Sequence, residues 1–386
     1  MKALILSIKA GYGHHSTAHA MIDCFKEHGI DCEMLDTFAY INKHLCEGIQ
    51  DGYLLTTKYL KEAYGKVYSQ LDKKDEPYDR YSPTALISKL ISKRLVKYIL
   101  DYAPDFIIGT HSYAAVLMSI LRNDYRIDCP MIGIITDFTV HPFWESTQLD
   151  YYVLPNDLLT MNALKKGIGR EKLLPTGIPI RKEFSIRHDR HLIREKLGLQ
   201  DKTTVLVMMG SMGFGNMEHV IRGLNDYPQD FQIVTICGNN KKAKAQIDDE
   251  IWNKNIINLG FTTNVDEYMD AADLIVTKPG GLTSSEALAK HLPMVLMNPI
   301  PGQEDRNMQF LTNTGGAVAV TSTFPIENAL YQILECDWRR ESMLNSISHI
   351  AKPNAAEDLY QFIAKILELD PQTDRINHQA LTTAEN

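Results

Sequence analysis

The chain is poor in several features, and each shortage narrows what it can be. No run of apolar residues approaches the roughly 18 needed to cross a bilayer as a helix. The apolar stretch at the amino terminus, Ala3 to Ile8, halts at Lys9 and a glycine turn, so it does not read as a secretory signal. Any membrane contact is therefore expected to be peripheral. Basic residues are outnumbered, 40 to 48, for a formal charge of −8. A general nucleic-acid binder needs a basic surface to displace counterions from phosphates, so no nucleic-acid partner is expected. The six cysteines (Cys24, Cys32, Cys46, Cys129, Cys237 and Cys336) are scattered, with no CxxC pair. That pattern suits reduced thiols in the cytosol better than a disulfide framework or a zinc site.

What is present is the make-up of a soluble globular protein. The chain has 386 residues, 44% hydrophobic and 23% charged, which is length enough for two domains. The opening reads as strand, glycine loop and helix. "ALILSI" suits a buried parallel strand, "KAGYGHHS" turns, and "TAHAMIDCFKEHG" keeps helical spacing up to Gly29. "DCEMLDTF", "PDFIIGTH", "PMIGIITD", "YYVLPN" and "LLPTGIPI" are the next strand candidates. After a polar stretch, Arg181 to Arg194, a second series begins with "TTVLVMMG" and another glycine loop. It continues through "FQIVTICG", "IINLGF", "ADLIVTKPGG", "PMVLMNPIP" and "GAVAV". Strands alternating with helices predict an α/β fold of parallel sheets covered on both faces. The boundary is expected near residues 177–190. It separates a domain over 1–180 from one over 181–365, with a late helix crossing back to the first. The polar tail, 371–386, reads as disordered. Two such domains facing across a cleft would hold two substrates beyond the carboxyl ends of their strands.

The densest chemistry lies in "TKPGGLTSSEALAKHLPMVLMNPIPGQEDRN". A strand ending at Lys278 turns through Pro279, Gly280 and Gly281 into a helix starting near Thr283. Two glycines let the backbone approach a ligand, and the free amides of a helix start suit a diphosphate. Thr283 and Ser284 add hydroxyl donors, and Glu286 is placed to accept from both ribose hydroxyls. Read alone, Gly-Gly is equally a tight turn and Thr-Ser-Ser-Glu a capping box. Gln303, Glu304, Asp305 and Asn307 follow another strand, a set that suits sugar hydroxyls or a solvated loop. The glycine loop "GSMGFG", Gly210 to Gly215, also opens a helix.

In the first half, His14 stands between a glycine loop and a helix. Imidazole is the side chain best poised to remove a hydroxyl proton near neutral pH, although a helix start in ordinary solvent explains the position as well. His15 and His19 share a helix face but lack the glutamate of a metalloprotease motif and a third ligand, so a solvated face is expected. Thr110-His111 puts a second histidine at a strand end. In "TDFTVHPFW", Asp137 closes a strand, and His141, Pro142 and Trp144 follow in a loop.

Three stretches together, "GYGHHSTAHA", "ITDFTVHPFW" and "KPGGLTSSEA…PGQEDRN", resemble the type-B (GT-B) glycosyltransferases of the diacylglycerol glycosyltransferase group. That group includes monogalactosyldiacylglycerol synthase and the processive diacylglycerol glucosyltransferases. The more distant lipid-linked muropeptide N-acetylglucosaminyltransferase shares the architecture. The resemblance runs from Ala3 to about residue 365. It implies a GT-B fold of two Rossmann-like domains, the first binding the lipid acceptor and the second a UDP-sugar. It also implies inverting transfer of a glucose or galactose to 1,2-diacylglycerol, giving a beta-glycosyl diacylglycerol.

Residue by residue, the resemblance places the catalytic histidine on His14; Asp137 reads equally as a helper that organises the base or acceptor and as a strand-end cap. The loop carrying His141 and Trp144 borders the acceptor site, to which Gly13 is also assigned, while His111 reads either as a contact to acceptor or phosphate or as a structural residue. Uracil falls beside Phe261, and the ribose on Glu286. The diphosphate falls at Gly280, Gly281, Leu282, Thr283 and Ser284 and around Gly210, Ser211, Met212 and Gly213. The transferred sugar falls near Gln303 and Glu304, with Asn307 beside them. One departure stands out: Tyr12 occupies a position where several relatives have glycine, which makes the loop before His14 bulkier.

No Asp-x-Asp motif occurs anywhere. Transferases that hold the diphosphate through a metal usually need such paired carboxylates, so no metal and no other cofactor is expected. Helix amides and hydroxyls would then neutralise the leaving group. The expected partners are a UDP-sugar, diacylglycerol and an anionic membrane surface, reached from the cytoplasmic side. The tyrosine-rich segment 51–80 is the expected lipid contact. The basic amphipathic stretch "LISKLISKRLVKYIL" is expected to pack its apolar face on the sheet. Alternatives are N-acetylglucosaminyl transfer to a polyprenyl-linked cell-wall precursor, a non-catalytic UDP-sugar sensor, or a sugar-nucleotide epimerase.

Overall fold

The structure, a computed structural model, describes residues 1–8, 13–41, 83–210 and 217–369. Tyr12, Ser211, Met212, Gly213, the segment 51–80 and the tail 371–386 lie outside the described residues. The chain divides into two units, Met1–Arg181 with Asn354–Asn386, and Lys182–Pro353.

The first unit is built on β1 (Lys2–Ser7), β2 (Asp31–Asp36), β3 (Phe106–Gly109), β4 (Met131–Ile134), β5 (Tyr151–Val153) and β6 (Leu173–Leu174). They form one parallel sheet in the order β2-β1-β3-β4-β5-β6. β1, β3 and β4 are continuous apolar runs because helices cover both faces of such a sheet. The helices Gly13–Glu27 and Ser112–Tyr125 carry the chain on from β1 and β3. In the helix Pro83–Tyr102, Leu95, Val96 and Ile99 are buried while Lys93 and Lys97 are exposed, the packing face expected of it.

The final helix, Ala355–Leu369, belongs to this unit, so the second unit ends at Pro353 and not at residue 365. Leu359 and Ile363 enter the same core as Ile5, Phe25, Phe106 and Ile132. His28 secures the helix from outside. Its Nε2 lies 2.9 Å from Glu357 Oε2, and its ring stacks on Tyr360 at 3.7 Å.

The second unit repeats the plan with β7 (Thr204–Met208), β8 (Gln232–Ile236), β9 (Ile256–Leu259), β10 (Leu274–Thr277), β11 (Met294–Leu296) and β12 (Ala317–Ala319). Their parallel order is β12-β11-β10-β7-β8-β9. Counted within the unit, this is the order of dinucleotide-binding sheets. A buried charge cluster ties the start of the unit to its sheet. Lys290 Nζ donates to Asp270 Oδ2 at 2.7 Å and to the Ile186 carbonyl, with both side chains essentially buried. Arg194 donates to the Ala271 carbonyl at 3.0 Å and to Asp273 Oδ2 at 2.7 Å, and Asp273 also accepts from the Thr204 amide at 2.7 Å. A buried cation left without these partners would cost several kcal/mol, on the order of 3–5. The segment after Arg181 is therefore held within the second unit.

Both sheets have one place where the strand order reverses. In the first it lies between β1 and β3, and in the second between β7 and β10. Ligands of open α/β sheets bind outside the strand ends at such points.

Candidate active site

At the first reversal point the chain leaves β1 and enters the helix that begins Gly13-His14. His14 Nδ1 lies 2.8 Å from the Thr110 carbonyl, just beyond β3, and 3.1 Å from Thr136 Oγ1, just beyond β4. A carbonyl only accepts, so Nδ1 carries the proton and the lone pair sits on Nε2. Burial holds the imidazole well below its ordinary value, to about 4, against the raising effect of the bond to Thr110. His14 is thus neutral near pH 7 and in the tautomer of a base.

His111 caps the helix Ser112–Tyr125, its Nδ1 accepting from the Tyr113 amide at 3.1 Å. His141 caps the short 3₁₀ helix Pro142–Ser146 in the same way, accepting from the Phe143 amide at 3.1 Å. An Nδ1 that accepts leaves the proton on Nε2, so these two rings present N–H donors. The His111 ring stands 4.5 Å from that of His14, edge to face. Burial pushes the His111 pKa well below its usual range, and the neighbouring His14 and His141 add to the effect. Protonation would also break its cap.

The remaining first-half expectations divide. Gly13 begins the helix and Asp137 is half-buried on the loop after β4, next to Thr136, which makes the contact with His14. Trp144 is corrected: its indole is 3% exposed, and the ring sits where a side chain on Gly133 of β4 would fall, edge-on to Tyr152. It anchors the loop that bears His141 and offers no face to a ligand. His15 is corrected too, for it is half-buried with Nε2 3.5 Å from Asp36 Oδ2, while His19 is exposed. Among the described residues, the one His/Cys/carboxylate grouping close enough to share an ion is Cys24, His28 and Glu357. The His28–Glu357 contact already accounts for it as a helix tie.

At the second reversal point, Lys278 follows β10 and the Gly280 amide turns back to the Lys278 carbonyl at 2.8 Å. Gly280 caps the helix Gly281–Ala289 with an ordinary φ of −74° and no side-chain capping bond. A side chain there would meet nothing within 4 Å, so neither conformation nor packing asks for glycine. What remains is open approach to the backbone, with the amides of Gly281, Leu282 and Thr283 directed outward from the helix start. Ser284, wholly buried in the first turn, has a hydroxyl with no hydrogen-bond partner. Such a group costs on the order of 1–3 kcal/mol until an acceptor arrives.

Glu286 is buried one turn on. Asn307, also buried, donates to the Pro279 carbonyl at 2.9 Å and so shapes the turn from behind. Gln303 and Glu304 open the helix Gln303–Asn313 after β11, set by Gly302 at φ +103°. Both Glu304 oxygens are engaged, Oε1 with Lys278 Nζ at 2.9 Å and Oε2 with the Ile300 amide at 2.7 Å. Gly210 ends β7's exit at φ +81°, a conformation that glycine adopts without strain. Phe261, beyond β9, is 70% exposed, a large ring free to stack on a planar ligand. Sequence reasoning gave no part to Thr110 and Thr136, whose contacts fix the His14 ring: the first acts through its carbonyl, and the second lies in a segment quoted for its neighbours.

Family models match both halves: monogalactosyldiacylglycerol (MGDG) synthase over residues 14–180, and the glycosyltransferase family 28 C-terminal domain over residues 204–362. A processive diacylglycerol beta-glucosyltransferase of Bacillus thuringiensis (strain Al Hakam) is 28% identical over 385 residues, 98% of this chain and 97% of that protein. Among solved structures, Acinetobacter baumannii MurG is 18% identical, covering 94% of this chain and 99% of that one, with a TM-score of 0.64. A Staphylococcus aureus MnaA–UDP co-structure is 13% identical, covering 96% and 98%, with a TM-score of 0.62. These two likenesses bear on the fold, and they agree with paired Rossmann-like sheets. From the matched models on both halves and the near full-length relative, the chain belongs to the diacylglycerol glycosyltransferase family.

Proposed function

We propose that the protein transfers a hexose, glucose or galactose, from a UDP-sugar to 1,2-diacylglycerol with inversion, giving a beta-glycosyl diacylglycerol. The observation that carries the chemistry is the locked tautomer of His14, with Nδ1–H on the Thr110 carbonyl and a free lone pair on Nε2. Family membership and the near full-length relative named for the same reaction support the choice of substrates.

In this reading His14 Nε2 takes the proton of the acceptor hydroxyl as its oxygen attacks the anomeric carbon. The bond from that carbon to the β-phosphate oxygen breaks, and its electron pair leaves with UDP. Thr136 and the Thr110 carbonyl hold the imidazole, and as charge develops on the ring their bond to Nδ1–H strengthens. His111 and His141 offer Nε2–H donors to oxygens of the acceptor, and Asp137 belongs to the same loop system. In the second unit Phe261 stacks on uracil and Glu286 accepts from the ribose. The diphosphate meets the amides and hydroxyls of Gly280 to Ser284 with Gly210 to Gly213, and the sugar lies by Gln303 and Glu304.

No metal is required in this scheme, because helix amides and hydroxyls supply the donors that an ion would. Among the described residues no helix is long and apolar enough to cross a membrane, and the enzyme is proposed to meet anionic lipid peripherally from the cytoplasmic side. The test is UDP release from UDP-glucose and UDP-galactose, with chelator, with and without diacylglycerol in anionic vesicles. Lipid-dependent release is expected with one of the two donors. Release independent of lipid, or release that needs magnesium or manganese, would overturn the scheme.

A further inference from the structure

The departing UDP gains a negative charge, and in a chain without an Asp-x-Asp metal motif something must balance it. The helix Gly281–Ala289 offers only about half an elementary charge from its dipole. We infer that Lys278 is a catalytic residue, the built-in cation that receives the diphosphate, and that Glu304 is its resting partner. This rests on the UDP-sugar reading of the site.

The geometry is specific. Lys278 directly follows β10, whose neighbour is β7, so its side chain starts at the reversal point of the second sheet. Its stem lies against the backbone that leaves β7: a side chain built on Gly210 would come within 3.2 Å of Lys278 Cε and 3.9 Å of Nζ. Gly210 thus leaves room for the lysine tip. The lysine tip therefore lies beside Gly210, where the chain leaves β7, and the Lys278 backbone carbonyl accepts from the Gly280 amide at the turn assigned to the diphosphate. Both Lys278 and Glu304 are largely withdrawn from solvent, with side-chain exposures of 10% and 14%, and their atoms are 2.9 Å apart. Glu304 is held independently by the Ile300 amide at 2.7 Å.

An ammonium carries three donor hydrogens in different directions, so it can bond phosphate oxygens by sharing or exchanging the contacts it makes at rest, of which Glu304 is one. In a site poor in water such a charge-assisted bond is stronger than at the surface. No bond to Lys278 is made or broken in the transfer. The acceptor oxygen bonds the anomeric carbon, its proton goes to His14, and the electron pair of the broken carbon–oxygen bond settles on the β-phosphate facing the ammonium.

Removing the lysine alone would strand the Glu304 carboxylate, so the informative protein is Lys278→Met/Glu304→Gln, compared with Glu304→Gln and the wild type. Calorimetric titration with UDP and with uridine isolates the diphosphate contribution. The wild type and Glu304→Gln are expected to prefer UDP over uridine, and the double variant to lose at least tenfold of that preference while binding uridine as before. An unchanged preference in the double variant, with uridine still bound, would overturn the assignment. Lys278→Arg, which keeps the charge, should retain most of the preference, and a complete loss there together with retained uridine binding would also count against a role for charge. Lipid-dependent UDP release by the wild type succeeds or fails separately, so an error in the transferase reading is told apart from an error about the lysine.

Discussion

The two units share a plan but arm their reversal points with opposite chemistry. The first gathers neutral histidines: His14 is fixed by the Thr110 carbonyl, and His111 and His141 by backbone amides. The second gathers formal charge, with Lys278 against Glu304 and a buried Glu286 close to a helix start. Each also keeps a buried hydroxyl without a partner in a helix that leaves its reversal point, Thr17 in the first and Ser284 in the second. The contrast teaches that one scaffold serves two tasks. Accepting a proton calls for an imidazole kept neutral with its lone pair left free, whereas holding an anion calls for fixed donors and fixed charge.

The comparison breaks first at His14. His14→Ala is expected to lower lipid-dependent UDP release by roughly 10²- to 10⁴-fold, the range for a general base, and to leave UDP affinity unchanged. Equal losses in both measurements would mean that the units do not divide the work as described. In the wild type the acid limb of kcat/KM is expected near pH 4, where Nε2 becomes protonated, and not near 6.5.

A second effect concerns stability. The pKa of His14 is lowered on folding, so the unfolded chain binds more protons between about pH 4 and 6.5. Its contribution is present in full above pH 6.5 and is lost as pH falls toward 4, about 3 kcal/mol at ~1.4 kcal/mol per pKa unit. Urea unfolding of His14→Gln should show a shallower loss of stability over that window than the wild type, and identical slopes would count against the buried neutral state.

In the second unit, Glu286→Gln should weaken UDP-sugar binding by about 1.5–3 kcal/mol, the value of a hydrogen bond to a charged group, without altering the dependence on lipid. A change in the lipid dependence instead would move Glu286 out of the donor site. The smallest effect is expected from Thr136→Val, a few-fold fall in kcat worth about 0.5–1.5 kcal/mol, because the Thr110 carbonyl still holds the ring.

The twelve strands among the described residues fall within segments legible beforehand as strand candidates. The signal is plainest in the apolar ones buried on both faces, such as β1, β3 and β4, and least plain in the polar edge strand β2. The helix start after Gly280 was legible for the same kind of local reason. Trp144 was not. A tryptophan beside a strand end looks like a ligand contact until Gly133 is found beneath it, and that pairing joins residues from a strand and a later loop. Lys278 was also hidden, because its partner Glu304 lies 26 positions away.

The sequence by itself determined the alternation of strand and helix, the two series, and the residue types at the strand ends, because hydrophobic periodicity and turn chemistry are local. Only the tertiary structure decided which strand ends become neighbours. Strand order brings β3 beside β1, and so sets Thr110 on His14, which selects the tautomer. It brings β10 beside β7, and so lays Lys278 along Gly210. Strand order is a property of long-range packing, and the protonation state of a histidine or the partner of a lysine depends on what that packing puts within about 3 Å of it.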